Sequence, residues 1–145
     1  MTAKAHSLYG PLPQPDPVSQ LYWDSVRAHA MRLQRCVDCE KWVFYPRAAC
    51  PHCGGVSLEW RPVSGRGLVY SFTIVHRAPS PELQEQAPYI VALVELEEGV
   101  RLMGRLVGVP VEPGHVPIGA EIVVEYEDVT GEVTLPRFRT VHTED

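Results

Sequence analysis

Cysteine occurs four times, at Cys36, Cys39, Cys50 and Cys53, as two C-x-x-C pairs separated by ten residues. Whatever the chain folds into must accommodate these pairs. One C-x-x-C loop aims two sulfurs at a single point, and two such loops complete a tetrahedron around zinc. Pro51 stiffens the second loop, and Gly54 and Gly55 follow it where a metal-binding knuckle needs a positive φ. Four thiolates leave no open coordination position, so the predicted zinc is structural and contributes to folding, not catalysis. His52, between two committed sulfurs, reads as an exposed knuckle residue and not as a ligand. The rival readings are two disulfides or thioredoxin-like redox chemistry. Disulfides suit a secreted chain, but residues 1–10 carry no apolar signal-peptide core. Redox chemistry of that kind uses one C-x-x-C inside a βαβ unit.

Around this motif the 145 residues divide into three stretches. Residues 1–32 begin with a proline-rich arm over 1–16, expected to be mobile unless held. A helix over 17–31 follows, with Asp16 as N-cap and Pro17 at the first helical position. Residues 33–62 read as a zinc ribbon whose return strand is Trp42-Val43-Phe44-Tyr45. So short a segment has too little core to stand without its metal. In 63–145, strand-like runs at 68–75, 89–96, 100–107, 122–126 and 135–138 alternate with glycine turns. Five strands in about 80 residues suit a small Greek-key OB barrel, with an SH3-like barrel as near neighbour. The fold class is therefore mainly β: helix, ribbon, five-stranded barrel. No apolar run reaches the roughly 18 residues of a membrane span.

These segments carry a resemblance. Leu33-Gln34-Arg35-Cys36-Val37-Asp38-Cys39, Cys50-Pro51-His52-Cys53-Gly54 and Ser64-Gly65-Arg66-Gly67-Leu68-Val69-Tyr70-Ser71-Phe72-Thr73 resemble the rubredoxin-like zinc-ribbon/OB-fold proteins associated with acyl-CoA metabolism. Val75-His76-Arg77, Pro88-Tyr89, Val94 to Arg101 and Leu135-Pro136-Arg137-Phe138 continue the match. The resemblance spans about residues 17–140. It implies an accessory subunit, in a hetero-oligomer, of a thiolase-type enzyme: a thiolase, acyltransferase or aldolase acting on acyl-CoA. A MaoC-like enoyl-CoA hydratase is the alternative partner.

The residues themselves argue against an independent enzyme. Thiolase chemistry needs a cysteine nucleophile, and every cysteine here is assigned to zinc. No G-x-S-x-G elbow, P-loop or dinucleotide-binding glycine fingerprint is present. A single-stranded nucleic-acid module is the remote alternative, and charge opposes it. Residues 63–145 hold six arginines and thirteen acidic residues, and the whole chain carries a formal −5. Four thiolates and one zinc would take that to about −7. Arg77, Arg35 and Arg47 are the candidates for CoA phosphates, with a solvated charged face as the plainer reading. Tyr22, Trp42, Phe44 and Tyr45 are the candidates for the partner interface, with ordinary packing as the alternative. No nucleic acid, no membrane and a cytoplasmic location complete the expectation.

Overall fold

A computed structural model describes residues 6–7 and 10–141. Strands β1 (His6–Ser7) and β2 (Gly10–Pro11) form a short antiparallel hairpin within the predicted arm. Residues 1–5 and 8–9 of that arm, and 142–145, lie outside the described residues, so its expected mobility does too. Helix α1 (Gln20–Arg27) is followed by β3 (Arg32–Cys36), β4 (Trp42–Val43) and β5 (Leu58–Pro62), a three-stranded sheet in the order β4-β3-β5. Then come β6 (Arg66–Val75), α2 (Pro81–Gln86), β7 (Tyr89–Leu96), β8 (Arg101–Val107), β9 (Glu121–Asp128) and β10 (Thr134–Thr140).

Strands β6 to β10 close into a barrel in which β10, β8, β7, β6 and β9 are successive neighbours and β9 returns to β10. Only the β8–β10 pairing is parallel. This is OB connectivity, and the predicted mainly-β class with helix, ribbon and five-stranded barrel holds. The five runs were legible because alternation fixes which face looks inward. On β7, Ile90, Ala92, Val94 and Leu96 are buried while Val91, Leu93 and Glu95 between them are not. Phe138 fills the interior beside Gly104, where a Cβ would lie 2.9 Å from its ring.

Helix α1 is shorter than the predicted 17–31. At its start, the Asp16 carboxylate accepts the Ser19 N–H at 2.7 Å and the Ser19 hydroxyl accepts the Asp16 N–H at 3.1 Å. This reciprocal pair holds residues 17–19 in a turn, and Ser19, not Asp16, becomes the N-cap. At its end, His29 takes φ +58°. The Ala30 N–H then reaches the Ser25 carbonyl and the His29 N–H the Val26 carbonyl, both at 2.9 Å. That is the Schellman arrangement, with histidine where glycine is usual. The His29 ring stacks on Tyr126 with centroids 5.0 Å apart, and its Nε2 lies 2.8 Å from an Asp128 oxygen.

Tyr22 and Val26 of α1, with Met31 and Leu33, join the barrel interior in one apolar cluster. The helix thus buries its face on this chain's own barrel. A second, much smaller cluster gathers Cys36, Val43 and Cys50 within the ribbon. The connection from β6 to β7 contains α2. Ser80 caps it, its hydroxyl accepting the Leu83 N–H at 3.3 Å.

Candidate metal centre

The two knuckles are built alike. In each, the first cysteine's N–H reaches the carbonyl five residues on: Cys36 to Lys41 at 2.9 Å, Cys50 to Gly55 at 2.8 Å. The residue after each second cysteine returns its N–H to the first cysteine's carbonyl, Glu40 to Cys36 and Gly54 to Cys50, both at 2.9 Å. Closing so tight a loop requires a left-handed residue at that point. Glu40 takes φ +63° and Gly54 takes φ +78°. The expected positive φ therefore falls on Gly54 and not on Gly55. Gly55 has a different reason to lack a side chain: a Cβ there would lie 2.5 Å from an Asp38 carboxylate oxygen in the opposite knuckle.

The four sulfurs converge, all lying within 4.8 Å of one another. Cys36 faces Cys53, and Cys39 faces Cys50, each at 3.6 Å. The His52 N–H donates to the Cys50 sulfur at 3.3 Å and the Gly55 N–H to the Cys53 sulfur at 3.4 Å. Burial of Cys50 opposes its ionisation, but the Cys53 and His52 amides outweigh it and bring the thiol down to about 7. Amide dipoles aimed at a sulfur favour the thiolate, the form that binds metal. The Lys41 and Gly55 amides favour the thiolate at Cys39 and Cys53 too, but burial and the facing sulfurs outweigh them and push both thiols up, so it is the convergence of four cysteines that suits a metal ion. No non-cysteine ligand is needed, and His52 is exposed.

One contributor escaped the sequence reading. Gln34 is buried on β3, and its amide clamps the backbone of Arg47, accepting its N–H at 2.8 Å and donating to its carbonyl at 2.9 Å. This ties the segment that leads into the second knuckle to the strand that leads into the first. A glutamine between leucine and arginine carries no sequence signal for that task.

The other candidate residues are dispersed. Arg47 is exposed and lines a cleft between the ribbon and the β7–β8 turn, with Lys41, Trp42, Phe44 and Arg101. Arg35 lies on β3, opposite Trp42 and Glu59 on the flanking strands. Arg77 is exposed just beyond the end of β6, and the Arg47 cleft adjoins the end of the barrel where β6 begins. The three arginines do not form one cluster.

Among the aromatics one expectation is corrected. Tyr22, read as a partner contact, is 2% exposed. It packs edge-on against Trp23, Phe44 and Tyr45 at 4.9, 5.5 and 5.9 Å and belongs to the core. Burial, and after it the neighbouring Tyr45 and Tyr126 phenols, push its phenol well above the ordinary value. Trp42 and Phe44 are half-buried. Tyr45 is exposed, and its hydroxyl accepts the Trp23 indole N–H at 2.8 Å.

Comparison with known proteins agrees with this architecture. Residues 23–59 match the family described as "ChsH2, rubredoxin-like zinc ribbon domain", and residues 60–127 match "ChsH2, C-terminal OB-fold domain". A solved structure described as "Ltp2-ChsH2(DUF35) aldolase" is similar over 88% of this chain and 98% of that one, with TM-score 0.75 and 34% identity. A probable enoyl-CoA hydratase alpha subunit of Thermomonospora curvata is 36% identical over 118 residues, 81% of this chain and 36% of that protein. A DUF35 domain-containing scaffold protein of Methanothermobacter thermautotrophicus is 34% identical over 99 residues, 68% of this chain and 72% of that protein. The chain thus spans about a third of the length of the hydratase subunit it matches.

Proposed function

Because the chain belongs to the ChsH2-type DUF35 family, which joins a rubredoxin-like zinc ribbon to an OB-fold barrel, we propose that it is a non-catalytic accessory subunit of a thiolase-type enzyme acting on acyl-CoA substrates. The observation that carries this reading is the match to the aldolase-associated chain over 98% of that chain's length. The chemistry is consistent with it. All four cysteines point into one another, leaving no free thiol to attack a thioester. The ion proposed at the four sulfurs is zinc, held by Cys36, Cys39, Cys50 and Cys53. A closed thiolate set offers it a structural and not a catalytic role. What these residues do is cross-link β3 to the second knuckle and give the ribbon a fixed shape.

Division into an arm and helix (1–32), ribbon (33–62) and barrel (63–145) belongs to the same proposal. So does a cytoplasmic location, which suits four cysteines kept reduced for metal. No helix of the described residues is long and apolar enough to cross a membrane. Arg47, in the ribbon–barrel cleft, is the best placed of the three arginines for a CoA phosphate, and Arg35 and Arg77 would serve it only from separate surfaces. Tyr45, with edges of Trp42 and Phe44, offers one apolar contact to the partner. The Thermomonospora relative's name supports the alternative, an accessory subunit of a MaoC-like enoyl-CoA hydratase.

Co-purification decides the matter. The tagged chain should recover a thiolase- or aldolase-type enzyme from its host, and that pair should cleave or condense acyl-CoA when the chain alone does not. Turnover by the isolated chain would overturn the proposal. Recovery of a hydratase instead would select the alternative.

A further inference from the structure

Resting on that reading, the geometry points to the outer face of strands β6, β7 and β8 as the surface that docks the partner enzyme. The segment it fits is an apolar one with a carboxylate placed for Arg105. Three observations meet there.

The first is exposed apolar area in register. Met103, at the centre of β8, is 71% exposed, although its strand is paired on both sides of the barrel. Leu93 is its direct partner on β7. Tyr70 and Leu68 on β6 are 49% and 46% exposed. Tyr70 sits at the irregularity between Val69 and Ser71, an extra residue that turns its ring onto the outer face. Exposed side chains elsewhere, such as Val56 on the ribbon, lack a paired neighbour of this kind.

The second is charge. The barrel segment 63–145 is strongly acidic, with six arginines against thirteen acidic residues. Four of those arginines, Arg101, Arg105, Arg137 and Arg139, stand on β8 and β10. Arg101, Arg137 and Arg139 pair with Glu95, Glu127 and Glu125. Arg105 faces no carboxylate within ion-pair distance among the described residues. Its Nη1 donates to the neutral Gln86 side chain at 2.6 Å, and burial and the repulsion of Arg137 together outweigh the attraction of the more distant Glu127. On the patch itself Glu95 neutralises Arg101 and Glu121 stands beside Leu68, so of the two arginines flanking Met103 on β8, Arg105 is the one without an ion-pair partner among the described residues. Its complement is a carboxylate on the partner.

The third is rigidity, which also decides what kind of partner fits. Arg101 lies 3.8 Å over the Tyr70 ring, and Arg105 lies 4.1 Å over the Tyr89 ring. These two stacks bracket Met103 and hold their guanidiniums before any partner arrives, reducing the ordering cost of association. They also cover one face of each tyrosine. A nucleic-acid strand needs bare rings on which to stack its bases, so the face suits a protein. Arginine and aromatic anchors around an apolar centre are the usual makings of an interface hot spot.

The test uses the full chain and the thiolase- or aldolase-type enzyme recovered with it, identified by mass spectrometry and then purified. Met103→Lys alters an exposed position, so its melting temperature and bound zinc should match wild type, whereas Arg105→Glu gives up a Gln86 hydrogen bond and a Tyr89 stack and should melt lower with zinc still bound. Each should weaken the affinity by about tenfold or more. Arg105→Glu should also flatten its salt dependence, because the carboxylate on the partner loses its cation. Val56→Lys on the ribbon should bind within about twofold of wild type, as a surface change away from a hot spot does. Wild-type affinity in both barrel variants would overturn the docking face while leaving the accessory role intact. If sedimentation shows a wild-type dimer that Met103→Lys splits, the face belongs to a second copy and the inference fails. If wild type recovers no such enzyme, the accessory reading itself fails and the docking face falls with it.

Discussion

The ribbon and the barrel solve the same problem with different means. The barrel closes five strands over an interior of Val69, Ile90, Val94, Leu102, Ile122 and Phe138, each almost wholly removed from water. Its shape follows from alternation and volume, and apolar burial of that extent is the dominant favourable contribution to folding. The ribbon's own cluster is Cys36, Val43 and Cys50, with Cys39 and Leu58 beside it. Two of its three buried residues are candidate metal ligands. Such a segment gains its definition from directed bonds and amide-capped sulfurs. A core tolerates shape-conserving exchanges, whereas a ligand set tolerates almost none.

The sharpest way to break this comparison is to remove one ligand. Cys50→Ser should abolish metal binding and unfold the ribbon, a loss on the order of the 10 kcal/mol or more that metal contributes to small zinc modules. Amide spectra should show residues 33–62 collapsing into the unfolded range while barrel strands stay dispersed. A folded ribbon in the metal-free variant would show that apolar packing suffices there after all. Phe138→Ala makes the converse cut. Emptying the space beside Gly104 should cost about 3–5 kcal/mol in denaturant unfolding with near-stoichiometric zinc retained at low denaturant. Loss of zinc before barrel unfolding would contradict it.

Gln34→Leu tests the join within the ribbon. Two hydrogen bonds to the Arg47 backbone disappear, and stability should fall by about 1–3 kcal/mol. Transfer of zinc to a competing chelator should accelerate, and an unchanged rate would assign Gln34 to packing alone. The smallest effect concerns pH. The hydrogen bond from His29, then that from the Thr134 hydroxyl, holds the Asp128 carboxyl below its ordinary value of 3.8. A depressed folded pKa contributes stability that is present above the unfolded value and lost as pH falls through the folded one. Asp128→Asn should therefore match wild type more closely at pH 3 than at pH 6. The group is exposed, so the difference should be slight and should shrink with salt. An acid-side divergence between the two curves would refute the linkage.

What the sequence disclosed is governed by how local its cause is. Cys36, Cys39, Cys50 and Cys53 were legible because ligand spacing is a local property, and β7 because its alternation is uninterrupted over eight residues. Tyr22 was misjudged as a partner contact. The sequence places it in a helix, but only the tertiary arrangement says that Phe44, Tyr45 and the barrel cover it. The helix was drawn too long because His29 gives no warning of a left-handed backbone. Its conformation is sustained by Tyr126 and Asp128, about a hundred residues away. Tyr70 was seen as one residue in a long strand, and its displacement onto the outer face depends on a bulge set by β7.

Met31 has a consequence beyond its burial. Its N–H donates to the Tyr126 hydroxyl at 2.9 Å, and its carbonyl accepts the Val63 N–H at 3.2 Å. One peptide segment is thus fastened both to a barrel strand and to the residue following β5, while its side chain sits in the shared interior. Occupancy at the sulfurs and order in the barrel are, through this joint, a thermodynamic couple. By reciprocity, whatever steadies the barrel must lengthen the residence of the ion by the same free energy with which the ion steadies the barrel. A partner that grips the barrel would then slow zinc release from a knuckle it never touches, and Met31→Gly, which loosens the joint, should erase that slowing.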